Sequence, residues 1–236
     1  MERQELTSVI AQADRWPRAI LFDLDGTLID SVPDIATSVN LLLASESLAP
    51  LTVNEVRSMI GHGIAKLVER AFKARDIALE GAPHVAMTER MMDIYKDHLT
   101  EQTVLLSGTE DILRSYHGAG YGLAVVTNKP EGFSREILDH FGFSAMIDCV
   151  VGGDTGPVRK PAPDMLLHAL KQIKVPASDA LMVGDSPADI DAAKAAGVKS
   201  VAVHGGYTPV PANELGADIT IDGLNELPDA IAQLTP

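Results

Sequence analysis

Cysteine is almost absent: Cys149 is the only one in 236 residues, so no disulfide can form within the chain. Its apolar surroundings, Ile147 to Val151, mark a buried structural thiol rather than a reactive one. Basic side chains are also scarce, 19 Lys and Arg against 33 Asp and Glu, which leaves a net charge of −14. Such a surface repels phosphate backbones and anionic lipid. No nucleic-acid partner and no membrane is therefore expected, whereas a small phosphorylated metabolite needs only a local positive pocket. No apolar run approaches the ~20 residues that a membrane helix requires. The first 18 residues carry acids early and no uninterrupted apolar stretch, unlike a signal peptide. A reducing, cytoplasmic setting is the resulting expectation. Apart from His62, the histidines are scattered without ligand spacing, which excludes a zinc site. The GxGxxG of a dinucleotide site is missing as well, and Gly205-Gly206 reads as a turn.

What is present is ordinary in bulk, with 46% hydrophobic and 22% charged residues, as in a soluble globular protein. The length permits one large or two small domains. The chain is organised around Ala19 to Asp30, AILFDLDGTLID. Ala19 to Phe22 reads as a buried parallel strand. It ends on Asp23 and Asp25, which project the same way while the chain stays extended. Two acids then stand at the carboxyl end of a strand, where open α/β sheets hold ligands.

From Asp30-Ser31-Val32-Pro33, a helix start with a cap candidate and Pro in the first turn, to about Thr103 the pattern is helical. Ile35, Val39, Leu42 and Leu43 share one face, Val56, Met59 and Ile60 another. Leu67, Val68 and Ala71 form a third, and Met91, Met92, Ile94, Tyr95 and Leu99 a fourth. Beyond Val104 strands and helices alternate. Strands are expected at 123–126, 147–151, 181–183, 200–203 and 218–221, and helices at 130–141, 163–173, 187–196 and 224–234. The fold class is therefore α/β, a Rossmann-like parallel sheet interrupted by an all-helical block. Residues 1–30 and 104–236 form the core and 31–103 the helical domain, with hinges near 30–33 and 103–108. The preamble up to Arg18 reads as a short helix or a tail, with no chemistry in it.

Polar residues recur at the other strand ends. Thr127-Asn128 follows LAVV and precedes a helix, where a hydroxyl and backbone N–H groups can donate to phosphate oxygens. Lys160 stands in VRKPAPDML, its backbone stiffened by Pro161 and Pro163, while neighbouring Arg159 reads as surface charge. VGDSPADID places Asp185 and Asp189 after the strand at 181–183; Asp191 reads as a helix N-terminal acid only. Asp185 beside Asp23 and Asp25 packs three carboxylates together, which requires a cation. Hard oxygen ligands with room for water and a phosphate oxygen suit Mg²⁺.

DLDGTLID, the Thr127 strand end, the KPxP lysine and VGDSPADID resemble the four signatures of the haloacid dehalogenase-like phosphatases. The resemblance implies a helical cap inserted after the first strand. It makes Asp23 a nucleophile that forms an aspartyl-phosphate, and Asp25 the acid and base that serves leaving group and water. It assigns the Asp23 side chain, the Asp25 main-chain oxygen and Asp185 to Mg²⁺, and has Lys160 contact both nucleophile and phosphate. Asp189 is expected to orient Lys160 or the groups around the metal. Relatives that cleave carbon–halogen or carbon–phosphorus bonds lack the second acid, so Asp25 argues for phosphate esters.

The chain is most similar to the phosphoglycolate phosphatases, over nearly its whole length, including IGHGIAKLVERA and GADITIDGLNEL. The implied activity is hydrolysis of a small phosphate monoester, 2-phosphoglycolate foremost. Other sugar-phosphate phosphatases, pyrophosphatases and phosphohexomutase-type isomerases share the motifs and stay open as alternatives. Within the cap, the Gly61-His62-Gly63 loop is expected to face the site, with His62, Lys66 and Arg70 as candidate partners of a substrate carboxylate. Ser107-Gly108 departs from the family habit of Pro before the second-hinge glycine. The protein is expected as a monomer or homodimer.

Overall fold

A computed structural model describes residues 15–234. Most of the polar preamble, residues 1–14, lies outside the described residues. Strand β1 (Ala19–Phe22) is fully buried, as its unbroken apolar sequence requires. The chain then turns through Asp25 into a two-residue strand, β2 (Ile29–Asp30). Four helices follow: α1 (Val32–Ser45), α2 (Val53–Arg57), α3 (Ile64–Lys73) and α4 (Gly81–Lys96). A second two-residue strand, β3 (Val104–Leu105), pairs antiparallel with β2 and closes the helical insert where it began.

Helix α5 (Thr109–Gly118) leads into β4 (Gly122–Val126), α6 (Glu131–His140) and β5 (Cys149–Val151). Then come α7 (Asp164–Ile173), β6 (Ala180–Gly184), α8 (Pro187–Ala196) and β7 (Lys199–Val203). Strand β8 (Ile219–Ile221) and helix α9 (Leu227–Leu234) complete the described chain. The six long strands form one parallel sheet in the order β5-β4-β1-β6-β7-β8. The α/β expectation therefore holds. Because the order reverses about β1, the carboxyl ends of β1, β4 and β6 meet at a topological switch point.

Alternation along β1 divides the core into two layers. Ile20 and Phe22 join Leu113, Ile137 and Leu227 of α5, α6 and α9. Ala19 and Leu21 join Met165, Leu166 and Ala193 of α7 and α8 on the other face. The first layer continues without a break into the insert, through Ile35, Val56, Leu67 and Met91, one from each of its helices. Cys149 is half-buried, and burial raises its thiol pKa, in keeping with a structural thiol.

Several boundaries differ from the sequence reading, each for a local reason. The strand expected from Ile147 begins at Cys149, because Ser144–Met146 form a 3₁₀ turn and the Asp148 carboxylate accepts the Leu123 N–H. The closing helix is broken into a 3₁₀ turn at Leu224–Glu226 followed by α9. Helix α5 was not anticipated, although Ile112, Leu113 and Tyr116 lie on one face and are buried. The cap candidate Ser31 makes no side-chain cap bond. The Val32 N–H is taken by Asp30 Oδ1 instead, at 3.2 Å, which releases the Ser31 hydroxyl for other work.

Asp34, in the first turn of α1, is completely buried. Its carboxylate accepts the backbone N–H of Gln102 and Thr103 at 3.0 and 2.7 Å, and the Thr103 hydroxyl at 2.7 Å. One side chain thus ties the start of the insert to its end. Asp34→Ala leaves buried N–H groups without an acceptor and should cost about 2–4 kcal/mol. The urea unfolding midpoint measures this; an unchanged midpoint would show that the clamp contributes nothing.

Candidate active site

At the carboxyl ends of β1, β4 and β6 a cavity of about 320 Å³ opens, roofed by the insert. Asp23 and Asp25 rise from the end of β1, Thr127 to Lys129 from β4, and Asp185 from β6. Ile35, Ile60, Ile64, Leu67 and Tyr95 of the insert form an apolar wall opposite.

Lys160 is the nearest cation to the first acid. Its buried ammonium lies 2.9 Å from Asp23 Oδ1 and 2.6 Å from Asp189 Oδ1. It also donates to the Val126 carbonyl at the end of β4, at 2.6 Å. Burial alone would lower its pKa, but Asp189 and Asp23 overcome this and hold the charge in place. Asp189 accepts the N–H and hydroxyl of Ser186 through Oδ2, at 3.0 and 2.7 Å. Both of its oxygens are therefore committed, one to the start of α8 and one to Lys160. Asp191, by contrast, is exposed.

Asp185 Oδ1 accepts the Thr27 hydroxyl at 3.2 Å, and Oδ2 accepts the Tyr207 N–H at 2.8 Å. The surrounding backbone is pressed against this carboxylate. A Cβ on Gly206 would lie 2.1 Å from Asp185 Oδ2, so only glycine fits there. Burial, then the charges of Asp189 and Asp23, raise the Asp185 pKa well above the carboxylate range. Asp23 is pushed up to about 6, mainly by burial and then by Asp189, against the pull of Lys160.

Asp23, Asp185 and Asp189 can each bring one oxygen within 4.8 Å of the others. Burial and mutual repulsion hold the Asp23 and Asp185 carboxyls toward their neutral forms, an effect that a cation bound among them would reverse. All three are hard oxygen donors, so the cluster fits a hard divalent cation. The hydrogen bonds of Asp189 favour Asp23 and Asp185 as the side-chain ligands within it. The third carboxylate of the cluster is thus Asp189 and not, as the sequence suggests, Asp25, whose carboxylate is drawn away by Ser31 and Lys129. Only its main-chain oxygen remains for the ligand role that the resemblance implies.

Asp25 receives the Ser31 hydroxyl and the Lys129 ammonium, the latter at 2.9 Å. Lys129 is a buried residue that the sequence reading passed over as part of Asn-Lys-Pro. Its ammonium also donates to the Tyr95 hydroxyl of α4 and stands 4.6 Å from that ring's centroid. Burial works against its charge, but Asp25 and Tyr95 raise its pKa on balance. Burial in turn pushes the Tyr95 phenol up to about 12. A lone Lys after Thr-Asn gave no sequence signal; only the approach of Tyr95, from the helical insert, reveals it.

The remaining candidates fall into two groups. Thr127 lines the cavity, its N–H given to Val151 O and its hydroxyl oxygen accepting the Lys129 N–H. Asn128 donates through Nδ2 to Gly61 O and Lys160 O, at 2.9 and 3.0 Å. Its Oδ1 is buried with no hydrogen-bond partner among the described residues. The Gly61-His62-Gly63 loop therefore does face the site. Gly63, at φ +82°, sits where a Cβ would be 2.8 Å from the Arg159 guanidinium, so Arg159 meets the insert rather than solvent alone.

His62 and Arg70 line the cavity, with Arg70 Nη1 donating to Met59 O at 2.8 Å. Burial and Arg70 lower the His62 pKa. Lys66 points away, exposed and paired with Glu69 at 2.7 Å.

Comparison with known proteins agrees with this geometry. The family model for haloacid dehalogenase-like hydrolases matches residues 20–203. The phosphoglycolate phosphatase of Caulobacter vibrioides is 37% identical over 215 residues, 91% of each chain. That of Pseudomonas fluorescens strain Pf-5 is 41% identical, over 90% of this chain and 79% of its own. Among solved structures, a predicted phosphoglycolate phosphatase from Haemophilus somnus superimposes with a TM-score of 0.86 at 30% identity. It covers 94% of this chain and 99% of its own. CbbY from Rhodobacter sphaeroides, solved in complex with phosphate, gives 0.77 at 26% identity, over 89% and 96%. No helix among the described residues is long and apolar enough to cross a membrane.

The raised Asp23 carboxyl predicts a pH dependence for any cation held by this cluster. A protonated Asp23 cannot ligate, so affinity is lost as the pH falls through about 6. Titration calorimetry with Mg²⁺ should find affinity rising about tenfold or more from pH 4.5 to pH 6, with proton release. A pH-independent affinity would contradict this assignment.

Proposed function

Because the chain belongs to the haloacid dehalogenase-like hydrolases, we propose that it is a Mg²⁺-dependent phosphatase of small phosphate monoesters, with 2-phosphoglycolate as its substrate and the cytoplasm as its setting. The observation that carries the reading is the pair of acids at the end of β1. Asp23 is held by Lys160 beside the cation cluster, and Asp25 is held apart from it by Ser31 and Lys129. Two carboxyls two residues apart thus have different partners and different tasks.

Asp23 attacks phosphorus; the new Asp23–phosphorus bond forms as the bond to the ester oxygen breaks, giving an aspartyl-phosphate. Asp25 gives its proton to the departing alkoxide and then takes one from the water that attacks the intermediate. That second attack frees the Asp23 carboxylate and inorganic phosphate. Lys160 neutralises charge on the nucleophile and on the transferring group. Thr127 and the backbone at the start of α6 orient the phosphoryl oxygens, and Asp189 positions Lys160. The Asp23 and Asp185 side chains and the Asp25 main-chain oxygen would hold Mg²⁺, which supplies positive charge against the phosphoryl oxygens. The helical insert acts as a cap whose apolar wall keeps bulk water from the intermediate.

The named relatives and the cavity support this choice of substrate. A space of about 320 Å³ bordered by Lys129, Arg70 and His62 has room and positive charge for a small anionic ester. Phosphate release from a panel of 2-phosphoglycolate, hexose phosphates, pyrophosphate and nucleotides tests this. The expected result is a kcat/KM for 2-phosphoglycolate at least ~100-fold above the others, abolished by chelator. A flat profile would remove the glycolate assignment, and release that survives chelation the metal. Asp23→Asn should lower kcat by at least ~1,000-fold with unchanged melting behaviour; retained turnover would refute the nucleophile.

A further inference from the structure

Resting on that reading, we propose that Lys129 selects the substrate: its ammonium, held by Tyr95, receives a carboxylate that the leaving group carries one carbon from the ester oxygen. Such a leaving group has almost no reach. Whatever delivers a proton to the ester oxygen must therefore stand next to whatever binds the carboxylate. Asp25 has the first task, and Lys129 Nζ lies 2.9 Å from its Oδ1. No other ion pair to Asp25 occurs among the described residues.

The remaining charges of the cavity are placed for other work. Lys160 is spent on Asp23, Asp189 and the Val126 carbonyl. Arg70 is anchored by the Met59 carbonyl, and His62 lies on an exposed loop. Lys129 is instead buried, with its side chain 3% exposed, so an anion meeting it is attracted with little screening by water. Ile35, Ile60, Ile64 and Leu67, which make up much of the rest of the wall, offer an anion nothing.

Tyr95 gives this cation a fixed position. Its hydroxyl accepts from the ammonium, its ring lies 4.6 Å beneath, and Phe133 holds the ring edge-on at a centroid distance of 5.6 Å. Because Tyr95 belongs to the insert and Lys129 to the core, the carboxylate subsite is complete only when the two meet. Selection therefore depends on a contact between the insert and the core.

The test compares 2-phosphoglycolate with 2-hydroxyethyl phosphate, in which a neutral hydroxymethyl replaces the carboxylate. Lys129→Met should lower the ratio of the two kcat/KM values by about 100-fold, the worth of a hydrogen bond to a charged group. Tyr95→Phe should lower it by about tenfold. Lys129→Met should also weaken competitive inhibition by glycolate while leaving inhibition by inorganic phosphate unchanged. Equal loss on both esters would overturn the inference, since Lys129 would then serve Asp25 alone. A wild-type enzyme that favours 2-phosphoglycolate, with a Lys129→Met variant that keeps the preference, overturns it and spares the functional reading. A wild-type enzyme without the preference overturns both. If Lys129→Met does not fold, Tyr95→Phe decides, and an unchanged ratio in that variant overturns the inference.

Discussion

The ammonium of Lys160 is the interaction on which the rest depends. Burying several carboxylates at the ends of adjacent strands is costly, because each loses its hydration and repels the others. One cation between Asp23 and Asp189 offsets part of that cost, and its third partner is a strand carbonyl, Val126. The sheet thus fixes the charge, and the charge fixes the acids. What remains uncompensated is equally informative. Asp185, facing Tyr207 and the tight glycine backbone, has no ion pair among the described residues, and burial with Asp189 and Asp23 raises its pKa despite the pull of Lys160. The acidic cluster is therefore a half neutralised by Lys160 and a half that is not, and the second half is the part whose charge a cation would offset.

A second buried lysine repeats the arrangement one step along the chain. Lys129 does for Asp25 what Lys160 does for Asp23, but its other partner is Tyr95 of the insert rather than a strand. The two acids of the site are consequently supported from different places, one by the sheet and one across the junction with the helices. Asn128 spans the same junction from the other side, through the Gly61 carbonyl.

Much of this was legible in the sequence because the relevant signals are local. β1, β4, β6 and β7 are continuous apolar runs, and such runs leave little choice of element. Asp23, Asp25, Thr127, Asn128, Lys160, Asp185 and Asp189 each follow such a run closely in sequence or, like Lys160, precede a rigid proline pair, and the structure brings them to one end of the sheet. The parts not legible depend on distance. The β2–β3 ribbon is two residues on two, too short for any periodicity. Helix α5 carries a pattern that could have been read, but it lies between the second hinge and a strong strand. Lys129 and Tyr207 matter because of partners 34 and 22 residues away, which no spacing rule relates. Lys66, on the same helix as Arg70, turned outward because the apolar face of α3 belongs to Leu67, Val68 and Ala71.

The closing of the insert on itself has one more consequence. The helices leave and rejoin the core at a single antiparallel ribbon, locked by Asp34. To the sheet, everything between Ser31 and Thr103 is a loop with a fixed closure point, whatever it contains. A change in the length or number of helices there need not move the strand ends, because the closure point stays where it is. The strand ends and the insert are then separable parts: the first holds the acids and both buried lysines, the second the wall that faces them. The Lys129–Tyr95 contact is where that freedom stops, since a new insert must bring a partner for the lysine or leave it without one.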